Sequence, residues 1–319
     1  MKALKVFHKS LKLMGNRFQL SAVSDDEMQA NECIDAGISE IQRIEKLLTT
    51  YSEESETALI NRNAGIEPVI ISAETFQIIK RSNRISQITQ GAFDITYGSV
   101  DKRLWNFDTK LSKLPDKTTA EKMALLINYK NIIMDEERLS VMLKNKGMRI
   151  GFGGIGKGYA AEMAKEVMKR NGVVGGIVNA SGDMTTWGVQ LNGRPWTIGI
   201  ADPNDKGKIF SFINISDMAV ATSGNYEKYV MINGQKYSHT INPKTGLPIR
   251  GIKSVTIISP HAEIADAMAT PLMVMGIGPG LDMINQIKGL EAIVIDDYDK
   301  IYTSKNIHFN KQYYEKPIY

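Results

Sequence analysis

The sequence predicts an α+β fold, with a mainly antiparallel sheet in the middle of the chain flanked by helices. Three observations lead there. Segments of helical spacing dominate before Asn131 and return from Ala262 onward, short β-like segments crowd between them, and no serial strand–helix–strand alternation supports a doubly wound parallel sheet. At 319 residues, 43% hydrophobic and 23% charged, the chain is long enough and apolar enough to bury a sizeable core. No Pro/Ser-rich linker cuts it, so residues 1–319 read as a single domain, with two intimately packed subdomains as the alternative.

The elements follow in order. Val6, Leu11, Leu13, Phe18, Leu20 and Ala22 alternate with polar neighbours, as in two short strands or one bent ribbon around Gly15. From Asp26 to Thr49 the period becomes helical, with Ile34, Ile38, Ile41 and Leu48 on one stripe. Tyr51 to Pro68 is polar and reads as loop, with room for a short helix around Thr57–Asn61. Ser72 suits the N-cap of a second long helix reaching Gln90 and ended by Gly91. Thr118-Thr-Ala-Glu121 has the capping-box pattern and predicts a helix from Thr119 to about Ile127. Asn131–Met134, Ser140–Lys144 and Met148–Phe152 are β-like, and a helix spans about Gly158–Arg170. Strands are expected at Gly176–Ala180, Val189–Leu191, Thr197–Ile200, Ile209–Ile213, Ala219–Ala221, Lys228–Ile232 and Ser254–Ile258. Helices at Ala262–Met275 and Pro279–Ile287 and a strand at Ala292–Ile295 complete the chain.

Composition narrows the function classes. Lys plus Arg (39) exceeds Asp plus Glu (35) by only four, and no basic block interleaves with aromatics, so nothing points to nucleic acid. The single cysteine, Cys33, excludes a disulfide framework within the chain, and His8, His239, His261 and His308 are too scattered for a His-rich metal site. No apolar run follows the Lys-rich start, as a secretory signal would need, and no stretch approaches the ~20 apolar residues of a membrane-spanning helix. The protein as read is cytoplasmic; the alternative is an exported or lipid-anchored protein whose signal has been trimmed.

Several motifs carry chemistry. Gly151-Phe-Gly-Gly-Ile-Gly-Lys-Gly158 fits both the dinucleotide pattern G-x-G-x-x-G and the start of a P-loop. Gly158 stands where a P-loop needs a hydroxyl for Mg²⁺, and no acid follows at the roughly 20-residue spacing of a dinucleotide fold. What remains is a glycine turn, a lysine and a helix N-terminus, parts that bind phosphate in many folds or simply allow close packing. Asn179-Ala-Ser-Gly-Asp183 has ordinary turn chemistry. Asp266 sits in a helix of small apolar residues with Thr270 four positions on, so a carboxylate and a hydroxyl share one face and suit a hard cation. The bland alternative has Asp266 on a solvated face and Thr270 back-bonding to its own helix. Pro271 cannot donate to the carbonyl of Ala267, which predicts a kink or opening. His239 is placed at a strand end before an Asn242-Pro243 turn, and Thr222-Ser-Gly224 supplies hydroxyls upstream.

Taken together, these segments resemble the ApbE family of FAD:protein FMN transferases. The resemblance runs through Leu13-Met-Gly15, Tyr51-Ser-Glu-Glu-Ser-Glu with Leu59-Ile-Asn61, Gly91-Ala-Phe-Asp94 with Thr96 and Gly98, and Gly153-Gly-Ile-Gly-Lys-Gly-Tyr159. It continues through Asn179 with Gly182-Asp183, Thr222-Ser-Gly224, His239 with Asn242-Pro243 and Thr245-Gly246, and Ala265-Asp-Ala with Thr270. It implies a T-fold-like α+β architecture and a Mg²⁺-dependent transfer of FMN from FAD to a Ser or Thr hydroxyl of a target protein, releasing AMP. Asp266, Thr270 and the Gly154 carbonyl would hold Mg²⁺. Met14, Tyr51, Ala92, Phe93, Asp94, Lys157, Asp183, Ser223 and His239 would bind FAD, with Asp266 and His239 catalytic, His239 helping to deprotonate the incoming hydroxyl. The partner would be a protein carrying the acceptor residue, in this family often a respiratory redox subunit.

The sequence also departs from the family pattern. Gly151 stands where the family usually has an Asp that contacts FAD, Ser181 where a second glycine is usual, Ile95 where proline is usual, and Pro271 where a small helix former is usual. Gly151 therefore keeps two alternatives in view: an FAD pyrophosphatase giving FMN and AMP, and a non-catalytic FAD-binding paralogue.

Overall fold

The computed structural model describes residues 3–100, 113–205, 209–225, 229–232, 235–238 and 240–307. Its first element is a hairpin, β1 (Lys5–Leu13) against β2 (Asn16–Ser24), in antiparallel register from Lys5↔Ser24 to Leu13↔Asn16. Met14 (φ 49°) and Gly15 (φ 73°) form the connection, both left-handed as a tight two-residue hairpin turn requires. The N-terminal alternation is thus two strands. α1 (Glu27–Leu48) opens on Asp26, whose carboxylate accepts the Met28 and Gln29 amides at 2.9 and 3.3 Å, and it buries Ile34, Ile41, Ile44 and Leu48. α2 (Glu56–Arg62) is capped by Ser55, β3 (Val69–Ile70) is short, and α3 (Ala73–Ile88) starts at the expected Ser72 cap.

α4 spans Lys117–Ala124, starting earlier and ending sooner than the Thr118–Glu121 pattern predicts. Asp116 takes the cap instead: its carboxylate accepts both the Thr119 amide (3.0 Å) and the Thr119 hydroxyl (2.7 Å), a bond a threonine cap at 118 does not offer. β4 (Ile132–Asp135) and β5 (Ser140–Leu143) join β3 in a small sheet ordered β3-β5-β4. Met148–Phe152, expected to be β-like, is not a strand. Its backbone bonds elsewhere: the Asn61 side-chain amide both donates to the Ile150 carbonyl (3.0 Å) and accepts the Ile150 amide (2.7 Å), while Ser99 Oγ accepts the Arg149 amide.

α5 (Gly156–Arg170) leads to β6 (Gly175–Ala180), β7 (Asp183–Trp187), the hairpin β8 (Trp196–Ala201) and β9 (Ile209–Ile215), and then β10 (Ala219–Gly224). The turn expected at Asn179–Asp183 is present, with Ser181 (φ 57°) and Gly182 (φ 103°) left-handed and the Gly182 amide on Asn179 Oδ1, but Asp183 already pairs with Ala180 as the first residue of β7. Val189–Leu191 is a turn, not a strand, because Gln190 exchanges bonds with Arg194 and Gly193. β11 (Tyr229–Ile232) pairs with β12 (Gln235–Ser238). Lys228 and His239 lie outside the described residues.

β13 (Ile252–Ser259) precedes α6 (Ala262–Met275), which continues through Pro271. α7 (Ile277–Ile284) starts at the Gly276 break, earlier than expected, and β14 (Glu291–Asp296) and β15 (Ile301–Thr303) finish the main sheet. That sheet is ordered β1-β2-β6-β7-β10-β13-β14-β15, antiparallel at every pairing. Alternation sorts its faces: Leu20, Val178, Ala221 and Ile257 join the main core with α1, α5 and α6, whereas Val23, Val220 and Ile258 pack under Trp196 and Ile198 of the β8–β9 hairpin. The core helices α5 and α6 are stitched by Glu162, whose buried carboxylate accepts the Ala262 amide (2.7 Å) at the start of α6.

Candidate active site

A cleft of about 1710 Å³ opens between the β1–β2 turn, the segment after α1, the loop after α3 and the glycine turn leading into α5. Met14, Tyr51, Ala92, Phe93, Asp94, Gly154, Lys157 and Thr270, all sequence candidates, line it. Tyr51 is 87% exposed at the mouth, while Ala92 and Phe93 are buried at the wall, so the cleft has an apolar and aromatic side suited to a flat ring system. Asp183, Asp266 and Ser223 stand behind this lining, each touching a residue on it.

The carboxylates meet at the N-terminus of α5. Lys157, in the first turn of that helix, ion-pairs with Asp183 at the start of β7 and lies 3.8 Å from Asp266 Oδ1 of α6. The Asp183 carboxylate also accepts the Thr222 amide at 3.3 Å, and Asp266 Oδ2 accepts the Gly158 amide at 2.9 Å. Ser223 Oγ on β10 lies 3.3 Å from Thr270 Oγ1, one helical turn beyond Asp266. Four elements that are distant in sequence thus place two carboxylates, an ammonium and two hydroxyls in one corner of the cleft.

Gly158 explains why this turn is not a P-loop. A Cβ there would stand 2.2 Å from the Ala262 carbonyl oxygen and 2.7 Å from Asp266 Cβ, so the position must be glycine for α5 and α6 to approach. Asp94 works internally: Oδ1 accepts the Thr96 amide (2.8 Å) and hydroxyl (2.6 Å), and Oδ2 accepts the Tyr129 amide (2.7 Å). Burial pushes its pKa above the usual carboxylate value, and those three hydrogen bonds pull it partway back.

Among the described residues no group of three or more His, Cys, Asp or Glu side chains converges on a metal position. The ligands that the family resemblance implies are all oxygen: Thr270 and Gly154 line the cleft, and Asp266, one helical turn before Thr270, has Oδ2 on the Gly158 amide and Oδ1 turned toward Lys157. That chemistry fits Mg²⁺, which binds through one or two carboxylates and keeps its other positions for water and substrate phosphate. Arg149 and Lys122 also line the cleft and were not singled out from the sequence. Both are exposed cations that belong to no recognisable motif, and with Lys157 they make the cleft receptive to an anionic substrate.

The sequence profile of the ApbE family matches residues 14–294. The chain is 30% identical over 293 residues to an FAD:protein FMN transferase of Klebsiella pneumoniae (strain 342), covering 91% of this chain and 89% of that protein. The crystal structure of the ApbE protein of Thermotoga maritima superposes with a TM-score of 0.86 at 29% identity, covering 94% of this chain and 97% of that one. The flavin transferase ApbE of Vibrio cholerae superposes with a TM-score of 0.81 at 25% identity, covering 95% and 98%. An antiparallel α+β fold with this polar corner on a large cleft, matched along nearly its whole length by such proteins, defines an enzyme of the transferase class. The chain belongs to the ApbE family.

Proposed function

We propose that this protein transfers the FMN moiety of FAD to a Ser or Thr hydroxyl of a target protein in a Mg²⁺-dependent reaction that releases AMP. The observation that carries the reading is the corner itself. Lys157 and Thr270 line a cleft with Asp266 directly behind Lys157, and Met14, Phe93 and Tyr51 on the same lining offer apolar and aromatic surface to a flavin ring.

Each residue then has a task. Asp266, Thr270 and the Gly154 carbonyl hold the cation, which when bound supplies positive charge to the diphosphate and to AMP as leaving group. The Gly158 amide fixes one Asp266 oxygen and leaves the other for ligation. Asp183, held by the Thr222 amide, pairs with the Lys157 ammonium at the cleft wall, within reach of a bound diphosphate. The acceptor oxygen attacks the phosphorus on the FMN side, the bond to the AMP oxygen breaks, and His239 takes the acceptor proton, as the family resemblance implies.

The test is incubation with FAD, Mg²⁺ and a candidate acceptor domain, reading AMP by chromatography and flavin fluorescence on the acceptor. AMP together with a labelled acceptor supports transfer. AMP with free FMN makes the protein a pyrophosphatase, and bound FAD without AMP makes it a binder. Omitting Mg²⁺ should abolish AMP release.

A further inference from the structure

The two carboxylates at the head of α5 pose an electrostatic problem. Asp183 comes from β7 and Asp266 from α6, and their side chains are only 4% and 8% exposed. Two buried carboxylates this close to one ammonium repel each other unless a cation stands between them. Each already has one oxygen occupied by a backbone amide, Asp183 Oδ1 by Thr222 and Asp266 Oδ2 by Gly158. The remaining oxygens, Asp183 Oδ2 and Asp266 Oδ1, both face Lys157 Nζ. Lys157 bonds the first, but at 3.8 Å it only charge-pairs with the second. That second oxygen is the one a cation would take.

We propose that Lys157 is the resident counter-cation of the Asp183–Asp266 pair, and that a divalent cation binds by displacing its ammonium, which then turns toward the anionic substrate in the cleft. The inference rests on the metal assignment made under the proposed function and adds a competition to it. A dication on Asp266 Oδ1 would stand within a few ångströms of the ammonium, and like charges at that range repel strongly where water is scarce. Lys157 is able to leave: its side chain is 27% exposed, it lines the cleft, and its four-carbon stem reorients freely. Lys157 is therefore a positioning residue that keeps the ligand carboxylate in place before the metal arrives.

The experiment uses the full chain without FAD or acceptor. Mn²⁺ binding is titrated by electron paramagnetic resonance on the unmodified protein and on Lys157→Met, with circular dichroism confirming the fold. Removal of the competing ammonium should tighten Mn²⁺ binding at least tenfold. Equal or weaker binding by folded Lys157→Met overturns the exchange while leaving the metal assignment intact; absence of Mn²⁺ binding in both proteins sinks the metal assignment and the exchange with it. A second measurement needs no variant. Acetylation of Lys157 by an amine-reactive ester, followed by mass spectrometry, should rise several-fold at saturating Mg²⁺ as the ammonium leaves its carboxylates. A rate unaffected by Mg²⁺ counts against the exchange.

Discussion

Gly158 and Asp266 are joined across two helices: the Gly158 amide in the first turn of α5 donates to Asp266 Oδ2 on α6 at 2.9 Å, and the space between them admits no Cβ. One position therefore sets both the helix spacing and the aim of the carboxylate. Gly158→Ala should separate α5 from α6, since the added methyl would lie 2.2 Å from a backbone oxygen that cannot rotate away. Overpacking of this kind costs about 1–3 kcal/mol. Urea unfolding should show that loss, and AMP release should fall by more than the loss of folded protein accounts for, because Asp266 is displaced with its helix.

Asp266→Ala tests the carboxylate without moving the helices. The side chain is 8% exposed and its loss leaves the Gly158 amide unpaired, which costs about 1–3 kcal/mol of stability. The larger effect should be on chemistry: Mg²⁺-dependent turnover should drop to background while the far-ultraviolet spectrum stays that of the unmodified protein. A turnover rate within a few-fold of normal would remove Asp266 from the cation site.

Much of this architecture was legible where the signal is local. Ser72 caps α3 as expected, and α1 starts where the helical period was read to begin, with Asp26 as its cap, because a cap is chemistry between a side chain and amides two or three residues away. The limits of α6 and the shared face of Asp266 and Thr270 were legible for the same reason. β7 was hidden because it follows directly on the Asn179–Gly182 turn, with Asp183 as its first residue; it pairs with β6 on one edge and β10 on the other, and its Thr185 and Thr186 are buried. Met148–Phe152 misled in the opposite sense, its Arg149 and Ile150 backbone being pinned by Ser99 and Asn61 instead of a neighbouring strand. At the site, the Lys157–Asp183 pair joins a helix start to a strand start across a tertiary contact, and no spacing in the chain encodes it.

Asp94 offers a pH-dependent readout. Its two oxygens accept three donors, and an asparagine has only one oxygen to offer, so Asp94→Asn would turn an amide NH₂ toward the Thr96 or Tyr129 N–H. A loss of about 1–3 kcal/mol is expected in denaturant melts near neutral pH. The sign of the pH effect follows from burial, which raises the folded pKa above the unfolded value of about 4. The native state then holds the proton more tightly than the unfolded chain, so this group's contribution is full below the unfolded pKa and declines as pH rises through the folded one. The stability gap between the unmodified protein and Asp94→Asn should accordingly shrink from acid toward neutral pH and then level off; a gap that widens with pH would contradict the assignment.

Ser181 carries backbone strain that a glycine would relieve. It sits at φ 57° beside Gly182 at φ 103° in the β6–β7 turn, a left-handed conformation that costs an L-residue about 1–2 kcal/mol. Part of that gain would be offset by the greater freedom of glycine in the unfolded chain. Ser181→Gly should still stabilise the protein by about 1 kcal/mol, raising the urea midpoint without changing the slope of the transition.

Gly151 bears on how tightly the cleft grips its substrate. It lines the cleft, its amide donates to the Ile95 carbonyl at 2.9 Å, and a Cβ built on it meets nothing closer than Thr50 Cγ2 at 3.8 Å. A side chain therefore enters the cleft without a clash, and the existing backbone bond survives the change. The ApbE resemblance places an FAD-contacting aspartate at this position, so Gly151→Asp should restore a charged acceptor for hydroxyl or amine donors of the bound nucleotide, a charge-assisted bond of the stronger kind. Isothermal titration with FAD should show Kd falling about tenfold, which corresponds to roughly 1.4 kcal/mol. Binding that is unchanged or weaker would mean that this cleft orients FAD by its other walls and that Gly151 is a neutral departure from the family pattern.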